Sequence, residues 1–384
     1  MSVSYIPDTV KMRLWGKAAG LCQYEGCNRP LWLDSLTKVE FNTAYIAHIV
    51  ADSPDGPRGH PTLSKALAQD ISNLMLMCDE HHRLVDKIDV LGHPVERLKT
   101  MKAAQEQRIH IVTGIAVEKR SHILLYGANI GVQNSPVCYA EAARAMIPHR
   151  YPAELHPISL GLRNSSFEDR NRQFWEIESE HLRKMVTEQV WPRLRAGEIF
   201  HLSIFALAPQ PLLILLGSLL TDIPAAEVFQ LHREPRGWTW QDQPDDFKYL
   251  ITEPDQIKGR PALVFSLSAT VTDERIHKML GREVAVWRVT IPSPHNDFLK
   301  SRQQVQAFRI QVRLLMDRVK ARHGEGGSIH VFPAMPVSLA VEFGRILMPK
   351  ADLPLVIYDE NKGLGGFAHT ININPLMLDE KKLC

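Results

Sequence analysis

The sequence predicts two unlike folds in tandem: a small α+β module over residues 1–115 and a larger α/β, Rossmann-like region over residues 116–384. Three observations carry this. Within the first ninety positions the chain spells C-x4-C (Cys22, Cys27), then A-H-I around His48, then N-L-M-L-M-C-x2-H-H from Asn73 to His82. Further on, the apolar runs HILLYG, HLSIFALA, ALVFSLSA, VAVWRVTI, SIHVFPA and LPLVIYD alternate with helical stretches, the pattern of layered strands and helices. Lastly, FALAPQPLLILLGSLL (205–220) laid over FPAMPVSLAVEFGRIL (332–347) matches Phe, Pro, Leu, Gly and Leu in one ungapped register. The same offset places VFQLHRE (228–234) over LVIYDEN (355–361), so two strand–Pro turn–helix–strand units predict a pseudo-twofold pair of subdomains.

In order along the chain, Asp8–Ala19 reads as a helix stopped by Gly20, followed by the Cys22–Cys27 knuckle. Lys38–Val50 is strand-like around Phe41, Tyr45 and Ile46, and PDGPRGHP (54–61) is a loop by composition. Ser72–Lys87 reads as helical in its second half. Pro94 then opens a long amphipathic helix that ends near Gly114, and the domain break falls at 113–121. The most apolar stretch, Ile199–Leu220, contains His201, Pro209, Gln210, Pro211 and Gly217, which suits a buried strand, turn and helix better than a membrane span.

Bulk composition excludes little. A hydrophobic content of 45% with 23% charged residues is ordinary for a globular chain, and 384 residues suggest two or three domains. Net charge is +2, and residues 1–120 hold fifteen Lys/Arg against fourteen Asp/Glu, so no basic surplus announces a nucleic-acid binder. Five cysteines (Cys22, Cys27, Cys78, Cys138, Cys384) and a start without an apolar secretory core predict a reduced, cytoplasmic protein without a membrane partner.

The chemistry concentrates in the first module. Cys22, Cys27, Cys78 and His81 can supply four ligands to one tetrahedral, structural Zn2+. His82 is adjacent to His81 and must face elsewhere. It can hold a second, catalytic cation together with Asp86, four residues on and on the same helical face; a hard ion such as Mg2+ or another divalent cation fits that pair. A histidine is the side chain suited to take a proton from water near neutral pH, so His48 can serve as general base, with Asn73 as its orienting partner, either through its side-chain carbonyl or by pinning the loop.

Residues 22–87 thereby resemble the HNH (ββα-metal) endonuclease family. The resemblance implies His48 as base, Asn73 as its support and His82 as the ligand of the catalytic metal. Two departures stand out. The residue before the base is often an acidic or histidine ligand and here is Ala47, which makes Asp86 the substitute with Asp52 or Asp55 in reserve; the fourth zinc ligand, usually cysteine, is His81.

Residues from about 160 to 384 resemble the SAVED domain, a fused pair of CARF-like sensor folds that binds cyclic oligonucleotides, through FQLHREPRGWTW (229–240), LVFSLSATV (263–271) and IHVFPAMPVSLAVEFGR (329–345). The implied subdomains are about 116–250 and 251–384. An HNH domain followed by SAVED looks like the DNA-degrading effector of CBASS, a bacterial anti-phage system, with double-stranded DNA as substrate, a cyclic dinucleotide or trinucleotide as activator and a homo-oligomer enlarged by ligand. Phosphates would meet helix starts after Ser268–Thr270 and Met335–Pro336, or Lys300 and Arg302; bases would stack on Trp238, Trp240 or Tyr358, with Asn129 a further contact. Two other readings compete: a restriction-like, sequence-specific HNH endonuclease, and a nucleotide-sensing zinc adaptor whose nuclease module is inactive.

Overall fold

In the computed structural model, which describes residues 4–131, 137–162, 167–244, 246–361 and 366–374, the chain forms two compact units that divide between Ala116 and Val117. Cys384 lies outside the described residues.

The first unit is small. Helix α1 (Asp8–Ala18) ends where Ala19 and Gly20 turn into the left-handed region, at φ 52° and 66°, which swings the chain into the Cys22–Cys27 knuckle. Strand β1 (Ala44–His48) and, after the short helix α2 (Leu63–Leu67), strand β2 (Leu74–Cys78) form an antiparallel pair that puts His48 opposite Leu74 and Ala44 opposite Cys78. Helix α3 (Asp79–Arg83) follows directly and runs on through Ile88. Helix α4 (Val95–Thr113) packs against α1. The strand expected across 38–50 is shorter: Phe41 is exposed and bonds through its N–H to the Trp32 carbonyl in an irregular segment before β1. β2 is buried at every position, and Leu14, Leu31, Ile49 and Leu74–Met77 make up the core around it.

The second unit opens with β3 (Arg120–Gly127), α5 (Tyr139–Met146), the two-residue strands β4 (Tyr151–Pro152) and β5 (Ile158–Ser159), α6 (Arg172–Met185) and α7 (Trp191–Arg195). Next come β6 (Leu202–Leu207), α8 (Gln210–Leu220), β7 (Ala226–Val228), the small hairpin β8 (His232–Arg233) and β9 (Arg236–Gly237), and β10 (Leu250–Thr252). The chain closes with β11 (Arg260–Ser266), α9 (Asp273–Leu280), β12 (Val284–Thr290), α10 (Arg302–His323), β13 (Ile329–Ala334), α11 (Val337–Arg345), β14 (Leu355–Asn361) and β15 (Gly366–Ile373). Two sheets result. One runs β4-β3-β6-β7, with β5 also on β3; the other runs β10-β12-β11-β13-β14-β15. In both, three strands lie parallel in the same relation, β3-β6-β7 and β11-β13-β14. Each apolar run singled out in the sequence is one of these strands.

The repeat is real in three dimensions. α8 and α11 pack side by side, and their glycines make this possible: a Cβ on Gly217 would lie 1.9 Å from the Val341 carbonyl oxygen, and one on Gly344 2.0 Å from that of Ile214. Gly217 aligns with Gly344 and Ile214 with Val341, so the contact is reciprocal, as a twofold axis between the helices requires. Pro211–Leu220 are all buried, which accounts for an apolar stretch that does not need lipid. The copies differ beyond the helices. β6 pairs Leu202 with Ala226, whereas β13 pairs Ile329 with Leu355, a slip of two residues. The strand expected over 228–234 stops at Val228; Phe229 still donates its N–H to the Ile204 carbonyl of β6, and its ring stacks on Phe205.

Candidate functional site

Cys22 and Cys27 on the knuckle, Cys78 at the end of β2 and His81 on the first turn of α3 bring four ligand atoms within 4.8 Å of one another. The Cys22 and Cys78 sulfurs are 3.9 Å apart, and His81 Nδ1 lies 3.9 Å from the first and 3.2 Å from the second. Tetrahedral zinc at 2.3 Å from sulfur requires S···S of about 3.8 Å, so the donor set fits in kind and spacing. Burial, together with the neighbouring thiols, pushes Cys22 up to about 12, and a divalent cation is what would release its proton. His81 is held flat against Tyr24 at 4.1 Å, and the Tyr24 hydroxyl meets His93 Nε2 at 3.0 Å.

His48 ends β1 and is buried. Its Nε2 lies 2.9 Å from the Ala68 carbonyl. A carbonyl can only accept, so Nε2 carries the proton and Nδ1 keeps the lone pair that a general base needs. Asn73 does not touch the ring. Its Oδ1 accepts from Val50 N–H and its Nδ2 donates to Val50 O, both at 2.8 Å, so it pins the chain two residues beyond His48. Of the two roles the sequence left open, it takes the second.

His82 stacks on Tyr45 at 4.9 Å, and its Nε2 meets Asp86 Oδ2 at 3.2 Å. The predicted pair is therefore together, but Asp86 is not a free ligand: its other oxygen is held by Arg58. Burial alone would raise Asp86, and the bonds and charges of His82 and Arg58 outweigh it, holding the carboxyl below the usual range. Arg58 is the residue that sequence reading missed; its one local signal was the turn-rich loop PDGPRGHP. Of the reserves, Asp52 accepts from Ser4 N–H.

In the second unit the turns after β6 and β13 meet, since Met335 N–H donates to Gln210 Oε1 at 3.1 Å and Ser338 to Gln230 Oε1. This is the carboxyl end of both sheets, where open α/β folds take ligands. Several predicted contacts require correction. Trp238 is buried edge-on against Phe205, and Tyr358 is buried and stacked on Phe332 with its hydroxyl on His330, so neither offers a face to a base. The helix after Ser268 and the exposed Thr270 begins with Asp273 and Glu274, which repel phosphate. Lys300 is paired with Asp297, and Arg302 with Glu227. Trp240 is half-buried, bonded through Nε1 to Glu227 and overlain by Arg302, at a cavity of about 280 Å3 that His149 and Gln243 also line. Asn129 follows β3 and donates to the Phe167 carbonyl; Met335 is buried and Pro336 caps α11. Glu178, which the sequence did not flag, is buried on α6 with neither oxygen hydrogen-bonded among the described residues, and burial raises it to about 7.

Residues 182–373, half of the chain, match the family described as SAVED, the SMODS-associated and fused to various effectors sensor domain. Among solved structures, the Acinetobacter baumannii Cap4 SAVED/CARF-domain containing receptor with the cyclic trinucleotide 2'3'3'-cAAA aligns at 13% identity and TM-score 0.42, over 73% of this chain and 56% of that one. The same receptor with 3'3'3'-cAAA gives 12%, 0.43, 77% and 66%, and the Moraxella osloensis Cap4 receptor gives 12%, 0.41, 73% and 59%. The chain thus spans less than two thirds of the length of each of these receptors. No curated protein matches it.

Proposed function

The chain belongs to the SAVED sensor-domain family, and from this premise we propose that its second unit receives a cyclic oligonucleotide and thereby licenses the first unit to cut double-stranded DNA in anti-phage defence. The observation that carries the nuclease half is the Ala68 carbonyl on His48 Nε2, which leaves Nδ1 as the basic nitrogen. Cys22, Cys27, Cys78 and His81 would hold Zn2+ as a structural clip, and His82 would hold a divalent cation such as Mg2+, whose chemistry there is to stabilise charge on a phosphodiester. His48 Nδ1 takes a proton from water; the water oxygen bonds to phosphorus as the bond to the leaving sugar oxygen breaks. Asn73 keeps the base in place through Val50. The sensor half is supported by the duplicated helix–turn architecture, which presents two nearly equivalent walls to a ligand of quasi-twofold shape.

Purified protein incubated with plasmid DNA and Mg2+, with and without a panel of cyclic di- and trinucleotides, tests this. Degradation to small fragments with one ligand, absent without it and absent in His48→Ala, is the expected result. Discrete bands independent of ligand would identify a restriction-like enzyme instead. No cleavage with any ligand or metal would leave a sensing adaptor.

A further inference from the structure

Every donor of Arg58 faces a different part of the nuclease site. Its side chain is only 6% exposed, although it lies in a surface loop, and its backbone is left-handed at φ 58°. Nε donates to the Ile49 carbonyl at 2.8 Å, and Nη1 to that of Val85 at 2.7 Å. Nη2 reaches Asp86 Oδ1 at 2.5 Å and the His48 carbonyl at 3.5 Å. One guanidinium therefore ties the end of the strand that carries His48 to the helix that carries His82.

The chain of contacts continues. The second oxygen of Asp86 faces His82 Nε2 at 3.2 Å, while Tyr45 lies flat on the same ring. A carboxylate bonded to Nε2 fixes the imidazole with its proton there and leaves the lone pair on Nδ1, the arrangement in which carboxylates orient metal-binding histidines. A carboxylate that already faces a buried guanidinium is also a poor direct ligand for a dication, because the two positive charges oppose each other.

We propose that Arg58 is a positioning residue: acting through Asp86, it sets the orientation of His82 toward the divalent cation, and it locks the His48 strand to the same frame. Asp86 then supports His82 from behind instead of binding the cation itself. This inference rests on the nuclease reading for its purpose, but its geometry can be tested apart from cleavage.

The test uses the full chain with Arg58→Gln, Arg58→Lys, Asp86→Asn and the double variant Arg58→Gln/Asp86→Asn. The readouts are Mn2+ affinity by calorimetry, zinc content, the melting transition, and ligand-activated plasmid cleavage against metal concentration. Arg58→Gln and Asp86→Asn should each weaken Mn2+ binding about 10- to 100-fold, as loss of an orienting partner does, with zinc content unchanged. The double variant should bind no more weakly than the worse single one, and Arg58→Lys should recover only part of the loss. Asp86→Asn keeps the three carbonyl clamps of Arg58, so it decides the matter even if Arg58→Gln fails to fold. Unchanged Mn2+ affinity in folded Asp86→Asn overturns the proposal, as does a wild type that binds no Mn2+. Cleavage that persists in His48→Ala, or is absent from the wild type, defeats the nuclease reading instead, and the affinity arm still decides Arg58.

Discussion

Asn73 commits both ends of its amide to Val50, and at 2% exposure it has no water to fall back on. Asn73→Ala would orphan a buried N–H and a buried C=O, at about 2–4 kcal/mol in urea unfolding, and would slow cleavage by loosening His48. Unchanged unfolding would show that the pins are idle. Glu178 gives a pH prediction. Its folded value is raised to about 7 from an ordinary 4.5, so across that window the folded chain binds more protons than the unfolded one and loses stability as pH rises. Glu178→Gln should therefore gain melting temperature over wild type between pH 5 and 8; a constant difference would refute this. At this scale, legibility followed locality. The clustering of Cys22, Cys27, Cys78 and His81 was readable because the four fall in two short fixed spacings. Arg58 was not, because its partners at Ile49, Val85 and Asp86 are gathered only when the loop closes. Trp238 and Tyr358 are core and not platforms, and an aromatic in or beside a strand looks alike in sequence in either role.

The helices α8 and α11 set the geometry of the sensor. Their backbones approach so closely that one methyl group is too many, and Gly217→Ala or Gly344→Ala should each cost about 1–3 kcal/mol, the usual penalty of overpacking, by chemical denaturation. The reciprocal contact predicts similar costs at the two sites, and a silent substitution at either would break the argument. The duplication, the strand–turn–helix succession of each copy and both Pro-containing turns were visible in the sequence, since the aligned segments share burial as well as identity. The two-residue slip between β6-β7 and β13-β14 was not, because register depends on pairing partners that neither segment encodes alone. The start of α10 shows a local signal in full: Ser301 accepts from Gln304 N–H while the Gln304 side chain reaches back to the Ser301 N–H, which fixes where Arg302 emerges.

For the whole chain, the proposed function assigns sensing and cutting to separate compact units, and a net charge of +2 supplies no broad attraction for DNA. The family resemblance implies control by assembly: sedimentation should show a larger species when the activating cyclic oligonucleotide is added, and an unchanged mass would remove assembly from the account. The division into a small unit and a layered α/β unit was legible, because one shows itself by the spacing of its cysteines and histidines and the other by alternation.

The two halves of the sensor repeat a turn and a helix, but not every side chain where they meet. Gln210 reaches across to Met335, but the residue that corresponds to Gln210 in the other half is Val337, which has nothing to offer Ala208 in return. A cradle whose walls were related by an exact twofold rotation would accept a guest either way round. This one has a head and a tail: turning a guest through half a revolution exchanges an amide for an isopropyl group, so a ring whose linkages are not all alike would find one orientation right and the other wrong.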